Sequence, residues 1–226
     1  MKYLFTLAFI NFCALLNAQQ INYSIDKLLF EDNFSFKNDN WVIEKNKADS
    51  EKVTVTNGKL LIDTYGGATV WYKQELKGNI LINFKRKIVM DSCKNCRLSD
   101  LNQFFMATEP NENKLFKRKG GFTEYDSLNM YYVGMGGNYN STTRFRKYNN
   151  GDKKIIQEYN DAAHLLQANK EYLIEIIYYN GLIKFMVDKQ EYFSWKDEQP
   201  FTHGYFAIRS TRSKQEISDL KIYQLK

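Results

Sequence analysis

The sequence predicts an all-β protein built from two large antiparallel sheets packed face to face, a β-sandwich or jelly roll. Three observations predict it. Apolar residues alternate with period two in segment after segment, Asn-Gly dipeptides at Asn57-Gly58 and Asn180-Gly181 separate alternating runs, and helical periodicity is nearly absent. Asn-Gly is the best fit to a two-residue type I′ hairpin, because both central residues must take positive φ. The aromatic content of 15% suits a sandwich core and a sugar-stacking face equally, so it favours neither.

Taken in order, the chain opens with Lys2, an apolar run from Tyr3 to Leu16 broken only by Thr6 and Asn11, and a small residue at Ala18. This is the pattern of a secretory signal peptide over 1–18, cleaved near Ala18, and it predicts a periplasmic or secreted protein. The run is shorter than the roughly 20 residues a membrane span needs, and Ile10-Asn11-Phe12 before Cys13 lacks the small residue expected of a lipid-modified cysteine. Residues 19–226 hold no linker rich in Pro, Gly or Ser and no repeat, which predicts a single β-sandwich domain.

Leu28 to Phe34 reads as an opening strand and turn, and Trp41 to Glu44 as a second strand. Val53 to Thr56 and Leu60 to Asp63 flank the first Asn-Gly turn. Gly66-Gly67 breaks the chain before the strand Ala68 to Tyr72, and Gly78 does so before Ile80 to Met90, where Ile80, Ile82 and Phe84 share one face. The second Asn-Gly joins Tyr172 to Tyr179 with Leu182 to Asp188, and Tyr205 to Arg209 and Leu220 to Leu225 close the chain. Only Asp161 to Gln167 has a helical look, for two turns at most.

The net charge of +6 and pI near 9 suit either a solubilising surface or an acidic partner. With an export signal and no nucleic-acid motif, acidic polysaccharide is the better candidate, and nucleic acid is not expected. Cys93 and Cys96 form a Cys-Lys-Asn-Cys pair that lacks the further ligands of a zinc site; a short-loop disulfide or two thiols remain.

Candidate chemistry concentrates between Ser99 and Tyr148. In Thr142 to Tyr148, alternation puts Thr142, Arg144, Arg146 and Tyr148 on one face, at about 7 Å intervals. Two guanidiniums on one face make a binding strip for carboxylate or sulfate if that face is a groove. Asp100, Asn102, Phe104, Met106 and Thr108 share a face of the preceding strand, opposite Leu101, Gln103, Phe105 and Ala107. Asp100, Asn102 and Gln103 either reach sugar hydroxyls or fix a loop. Gly134-Met135-Gly136-Gly137-Asn138 reads as turn glycine chemistry rather than a phosphate cradle, because a strand follows it. Tyr132 and Tyr148 beside guanidiniums would have lowered pKa values, and His203 and His164 are further proton carriers. Trp71, Asn138 and Arg209 complete the candidate substrate-binding set. No metal ligand set is visible, and no alternating carboxylates of the two-carboxylate glycosidase kind occur; Glu124 and Asp126 look more like turn residues.

The motifs SDLNQFFMATEP, Gly120-Gly121-Phe122, YYVGMGGNYNSTTRFRKY, HLLQANKEY and the closing GYFAIRS resemble a family of concanavalin A-like lectin/glucanase sandwich proteins, formerly of unknown function, from polysaccharide-utilisation gene clusters. The resemblance runs from Leu28 to the final strand. It implies a secreted or periplasmic jelly roll working on glycans, with a narrower similarity to the oligosaccharide dehydratase activity of ulvan breakdown, whose substrate is a sulfated rhamnose and uronic acid oligomer. The resemblance carries over no catalytic residues; read from the sequence itself, such an elimination would use Arg144 and Arg146 to neutralise the carboxylate and Tyr148, Tyr132 or His203 to move protons. A non-catalytic carbohydrate-binding protein and a glycoside hydrolase with an atypical site are the alternatives. No cofactor is expected; a structural calcium is compatible with such sandwiches, although no dense Asp/Asn loop is evident.

Overall fold

The computed structural model describes residues 22–46, 52–91, 94–111 and 115–226. The predicted signal peptide with Cys13, and Cys93, lie outside them. Among the described residues sixteen strands form in chain order: β1 Ile25–Asp32, β2 Trp41–Lys45, β3 Lys52–Thr56, β4 Lys59–Thr64, β5 Ala68–Tyr72, β6 Leu76–Lys77, β7 Ile80–Ile88 and β8 Leu101–Thr108. They continue as β9 Asn129–Gly136, β10 Thr142–Asn149, β11 Asp152–Tyr159, β12 Glu171–Tyr179, β13 Leu182–Val187, β14 Gln190–Lys196, β15 His203–Ser210 and β16 Ser213–Leu225. All pairings are antiparallel, in two sheets. The first has the order β14-β13-β12-β7-β16-β4-β3 with β1 on β16, and the second β11-β10-β9-β8-β15-β5-β2 with β6 on β15. The predicted two-sheet all-β sandwich is therefore the observed fold.

Both Asn-Gly turns have the predicted backbone, with φ of 51° and 70° at Asn57 and Gly58 and 48° and 78° at Asn180 and Gly181. Two more hairpins of the same hand lie outside that prediction: a third Asn-Gly, Asn150-Gly151, joins β10 to β11 after a polar strand end, and Asp188-Lys189, between β13 and β14, has no glycine at all. The helical look of 161–167 reduces to one 3-10 turn, Ala162–His164, capped by Asp161, whose carboxylate accepts from the Ala163 N–H at 3.0 Å.

Alternation builds the core. Ile80, Ile82 and Phe84 of β7 and Ile174 and Ile176 of β12 point inward from the first sheet, and Val70, Phe105, Val133, Phe145 and Ile208 meet them from the second. Each such buried side chain contributes about 1.5–3 kcal/mol relative to exposure. Alternation fails at one predicted position. Met106 takes φ of 50°, the pairing of β8 with β9 slips between Phe105 and Thr108, and that of β15 with β8 slips between Tyr205 and Ala207. The bulge turns Met106 into the inter-sheet core instead of onto the face of Asn102 and Phe104, and sends Ala107 outward.

The interior also holds a charge. Arg86 of β7 is fully buried and spans both sheets, its Nε donating to Gln215 Oε1 at 2.9 Å and its Nη atoms to Gln103 Oε1, the Asn102 carbonyl and the Arg209 carbonyl, each at 2.8 Å. Burial lowers its pKa to about 9.

The outer face of the second sheet carries a second core. Leu115, Tyr125 and Leu128 lie over Trp71, Phe104 and Met130. Glu44 fastens this covering segment, accepting from Trp71 Nε1 at 2.7 Å, Tyr125 Oη at 2.9 Å and the Arg118 N–H at 2.6 Å. The segment covers only the Tyr148 end of β10, which leaves Thr142, Arg144 and Arg146 on that face open.

Candidate functional site

Two cross-strand rows on the outer face of the second sheet lay out the site. One runs Arg209, Asn102, Gly134, Arg144, and the next Ala207, Phe104, Tyr132, Arg146. The end of each row that the covering segment leaves bare opens into a cleft of about 220 Å³. Asn102, Tyr132 and Gly134 form its floor, Thr142, Arg144 and Arg146 one wall, and Phe122 and Thr211 the opposite side. Arg97, Ser99 and Asp100 from the β7–β8 connection and Asn138 and Tyr139 from the β9–β10 turn make the rim.

The floor is close-fitted. Tyr132 Oη donates to Asn102 Oδ1 at 2.9 Å, and a Cβ on Gly134 would lie 2.2 Å from that hydroxyl and 2.8 Å from Asn102 Oδ1. Gly134 is therefore a strand residue that makes room for a side-chain pair, not a turn residue. Gly136, with φ of 68°, does carry the expected turn. Arg146 lies 5.5 Å over the Tyr132 ring and its Nη1 donates to Tyr148 Oη at 3.3 Å. Arg144 pairs with Glu158 of β11, and Arg97 with Asp100. Burial raises the pKa of Tyr132 strongly, and the opposing pull of Arg146 does not reverse it. The expected lowering by a neighbouring guanidinium is thus overturned: Tyr132 is a neutral phenol at physiological pH.

The cleft presents unsatisfied polar atoms. Thr142 Oγ1, Ser99 Oγ and Arg146 Nε are buried with no hydrogen-bond partner in the protein. Among the described residues no carboxylate pairs with Arg146, nor with Arg209, fully buried beside the floor under Phe122, nor with Arg86, fully buried behind it. Arg209 donates to Thr211 Oγ1 at 2.7 Å and to the Gly120 carbonyl at 3.0 Å, and lies 4.7 Å over the Phe122 ring.

The structure thus brings Arg144, Arg146, Tyr132, Asp100, Asn102, Asn138 and Thr142 into one cleft, and it places the other nominated residues elsewhere. Tyr148 is on the same strand face but fully buried under the covering segment. Trp71 is buried with its indole N–H on Glu44, and Gln103 points into the inter-sheet core to hold Arg86. Arg209 lies beneath Phe122 rather than on the cleft surface. His203 stands six residues from Arg209 along β15, about 20 Å away, 3.8 Å from Glu75. Glu124 receives the N–H groups of Lys119 at 2.9 Å and Gly121 at 2.8 Å, and Asp126 pairs with Lys153, so both hold turns. His164 stacks on Tyr159 with Nδ1 2.8 Å from Asp161.

Sequence reasoning missed Arg97, Ser99, Phe122, Tyr139 and Thr211. Tyr139 is 80% exposed and sits at φ 58°, ψ 44°, between Asn138 at φ 51° and Asn140 at φ 62°. A left-handed conformation costs a non-glycine residue about 1–2 kcal/mol, and strain of this kind collects at functional sites. Asn140 sustains it by acting like a strand partner, donating to the Leu166 carbonyl at 2.9 Å and accepting from its N–H at 2.8 Å. An aromatic ring inside an Asn-rich turn was the available signal. Arg97 adjoins Cys96, which is disulfide-bonded. Among the described residues, no group of three or more His, Cys, Asp or Glu is placed to hold a metal ion, and no helix is long and apolar enough to cross a membrane.

Solved structures share the fold. A protein of unknown function with a galectin-like fold from Bacillus subtilis superposes with a TM-score of 0.73 at 16% identity, covering 90% of this chain and 99% of its own. LamA from Z. galactanivorans, in complex with laminaritriose and laminaritetraose, gives 0.62 at 14% identity, covering 89% of this chain and 100% of its own. The carbohydrate-binding module CBM66 from Bacillus subtilis gives 0.57 at 12% identity, covering 82% and 96%. No curated protein matches the sequence. A family model does match, over residues 62–220, from β4 through the cleft-bearing strands into β16, and the chain belongs to the family described as Domain of unknown function (DUF6250).

Proposed function

We propose that the protein is a carbohydrate-active enzyme that binds acidic oligosaccharides in this cleft and eliminates from them water or the neighbouring sugar, which leaves through its hydroxyl, as a dehydratase or lyase of ulvan-type breakdown. The observation that carries this reading is the charge behind and beside the cleft. Arg144 and Arg146 open into it, Arg146 has no carboxylate partner among the described residues, and Arg209, buried beside the floor, and Arg86, buried behind it, are in the same condition. Fixed positive charge backed by a low-dielectric interior attracts a carboxylate or sulfate more strongly than a solvated lysine does. The fold is also that of proteins described as a carbohydrate-binding module and as LamA holding laminari-oligosaccharides.

Elimination from a uronate removes the hydrogen beside the carboxylate as a proton, forms a carbon–carbon double bond and breaks the β carbon–oxygen bond. The leaving oxygen departs with a proton as water or as a sugar hydroxyl. Arg146 and Arg144 bind the carboxylate and stabilise the charge that develops there. Asp100 is the carboxylate within the cleft that can accept the proton. Tyr132, kept protonated by burial, is suited to give one to the leaving oxygen. Asn102, Asn138, Thr142 and Ser99 offer hydrogen bonds to hydroxyl groups. Asp100 is the one carboxylate among the cleft-lining residues, which disfavours hydrolysis by a carboxylate pair. Its pairing with Arg97 favours the second reading, a binding protein without turnover.

Incubation with sulfated oligomers that end in a saturated uronate, followed by mass spectrometry, tests the reading. Loss of one water per oligomer is expected of the wild type, with turnover reduced about 100-fold or more in Arg146→Ala and the melting temperature retained. Binding with no change in product mass would show a binding protein, and full turnover in Arg146→Ala would remove the arginine from the site.

A further inference from the structure

The cleft does not end at Thr211. Four connections between strands meet at the same end of the sandwich: 65–67 between β4 and β5, the described parts 89–91 and 94–100 of the one between β7 and β8, 137–141 between β9 and β10, and 211–212 between β15 and β16. They bring together two tyrosine–arginine units. Arg97 lies 5.2 Å from the Tyr139 ring centroid, and Arg212 lies 4.5 Å from that of Tyr65. The units are joined, because Arg97 Nε donates to the Arg212 carbonyl at 3.1 Å. Tyr139 and Arg97 belong to the cleft rim and Thr211, the residue before Arg212, to the side facing the arginine wall, whereas Tyr65 and Arg212 lie beyond the cleft.

Both rings are turned outward, Tyr139 80% and Tyr65 56% exposed, in a chain whose other aromatic side chains mostly fill its two cores. A guanidinium against each ring holds its orientation. Arg212 Nε is buried without a hydrogen-bond partner in the protein. Exposed flat rings oriented in advance, each beside a cation, provide what one unit of an acidic sugar chain needs: a face for its C–H groups and a charge for its carboxylate or sulfate.

We propose that Tyr65 and Arg212 form a second sugar subsite, contiguous with the cleft through Arg97 and Tyr139, so that the protein reads an acidic oligosaccharide longer than a disaccharide. The proposal rests on the acidic-oligosaccharide reading of the cleft and adds length selectivity to it. Sulfated uronate oligomers of two, four and six sugar residues provide the test, with affinities measured by calorimetry on wild type, Tyr65→Ala, Arg212→Ala and Arg146→Ala. Tyr65 is exposed and belongs to neither core, and circular dichroism checks that each variant is folded. Tyr65→Ala and Arg212→Ala are expected to weaken binding about 3- to 10-fold for the four- and six-residue oligomers and less than about 2-fold for the disaccharide, whereas Arg146→Ala weakens all three lengths alike. Equal losses at every length in the Tyr65 and Arg212 variants, or none, would overturn the second subsite and leave the cleft reading standing. A wild type that binds no length would overturn both.

Discussion

At the scale of single residues, the decisive feature is how little room surrounds Tyr132. Its hydroxyl meets Asn102 in the space that a side chain on Gly134 would occupy, at 2.2 Å. Gly134→Ala is expected to displace the pair, lowering stability by about 1–3 kcal/mol and reducing oligomer affinity beyond what that destabilisation explains. Denaturant midpoints and calorimetric titration of the same samples separate the two effects, and unchanged affinity in a folded variant would take the Tyr132–Asn102 pair out of the site. The arginines were legible in the sequence because Thr142 to Tyr148 keeps strict alternation, so their common face followed from periodicity alone. Tyr139 was not, because it occupies a backbone region that its residue type avoids, and propensity points away from such positions. Tyr148 and Trp71 lie on the nominated face, but a segment distant in sequence covers it, and periodicity carries no information about what covers a face.

At the scale of elements, that covering segment decides which part of the sheet is a site. It crosses from Leu115 to Leu128 without a strand of its own, and only a 3-10 turn, Phe122–Tyr125, interrupts it. Its attachment depends on Glu44, a buried carboxylate from β2 that collects three donors. Glu44→Gln keeps the shape but loses charge-assisted acceptance and brings an amide donor to a position where donors already converge, a cost of about 2 kcal/mol. The expected result is faster hydrogen exchange in 115–128 and a changed Trp71 fluorescence, with β9 and β10 protected as before. Uniform loss of protection throughout the second sheet would instead make the segment part of the global fold. The sequence concealed this element for a physical reason: charged residues such as Arg118 are mixed with aromatic ones there without any period, and the acceptors of Arg118, Glu109 for its side chain and Glu44 for its backbone N–H, come from outside the segment. Met106 is a related case. Its bulge is set by pairing on both sides of β8, which one strand read alone does not reveal.

At the scale of the whole molecule, a few carboxylates tie elements together, and their ionisation sets the acid limit of the fold. Asp197, just after β14 of the first sheet, accepts from Tyr131 Oη of β9 at 2.6 Å and Lys147 Nζ of β10 at 2.7 Å, linking the two sheets. Glu216 of β16 receives Lys59 of β4 at 2.6 Å and Lys87 of β7 at 3.0 Å, bracing the first sheet from within. Burial pushes both carboxyl groups up, but the bonds to lysine, and to Tyr131 for Asp197, outweigh it and leave both pKa values below the usual carboxylate range. A carboxyl with a depressed folded-state pKa binds a proton more readily when unfolded. Its stabilisation is therefore complete above the unfolded value of about 4 and is lost as pH falls through the folded value. Stability should be nearly flat from neutral pH down to about 5 with respect to these groups, then fall steeply below about 4. Asp197→Asn should lower the denaturant midpoint at pH 7 and make the fall below pH 4 shallower, so that the two proteins converge in acid. Midpoints measured for both at pH 7, 5 and 3 decide the matter: a constant gap between them at all three would mean that the amide disturbs packing, and that the charge on Asp197 contributes nothing to holding the sheets together.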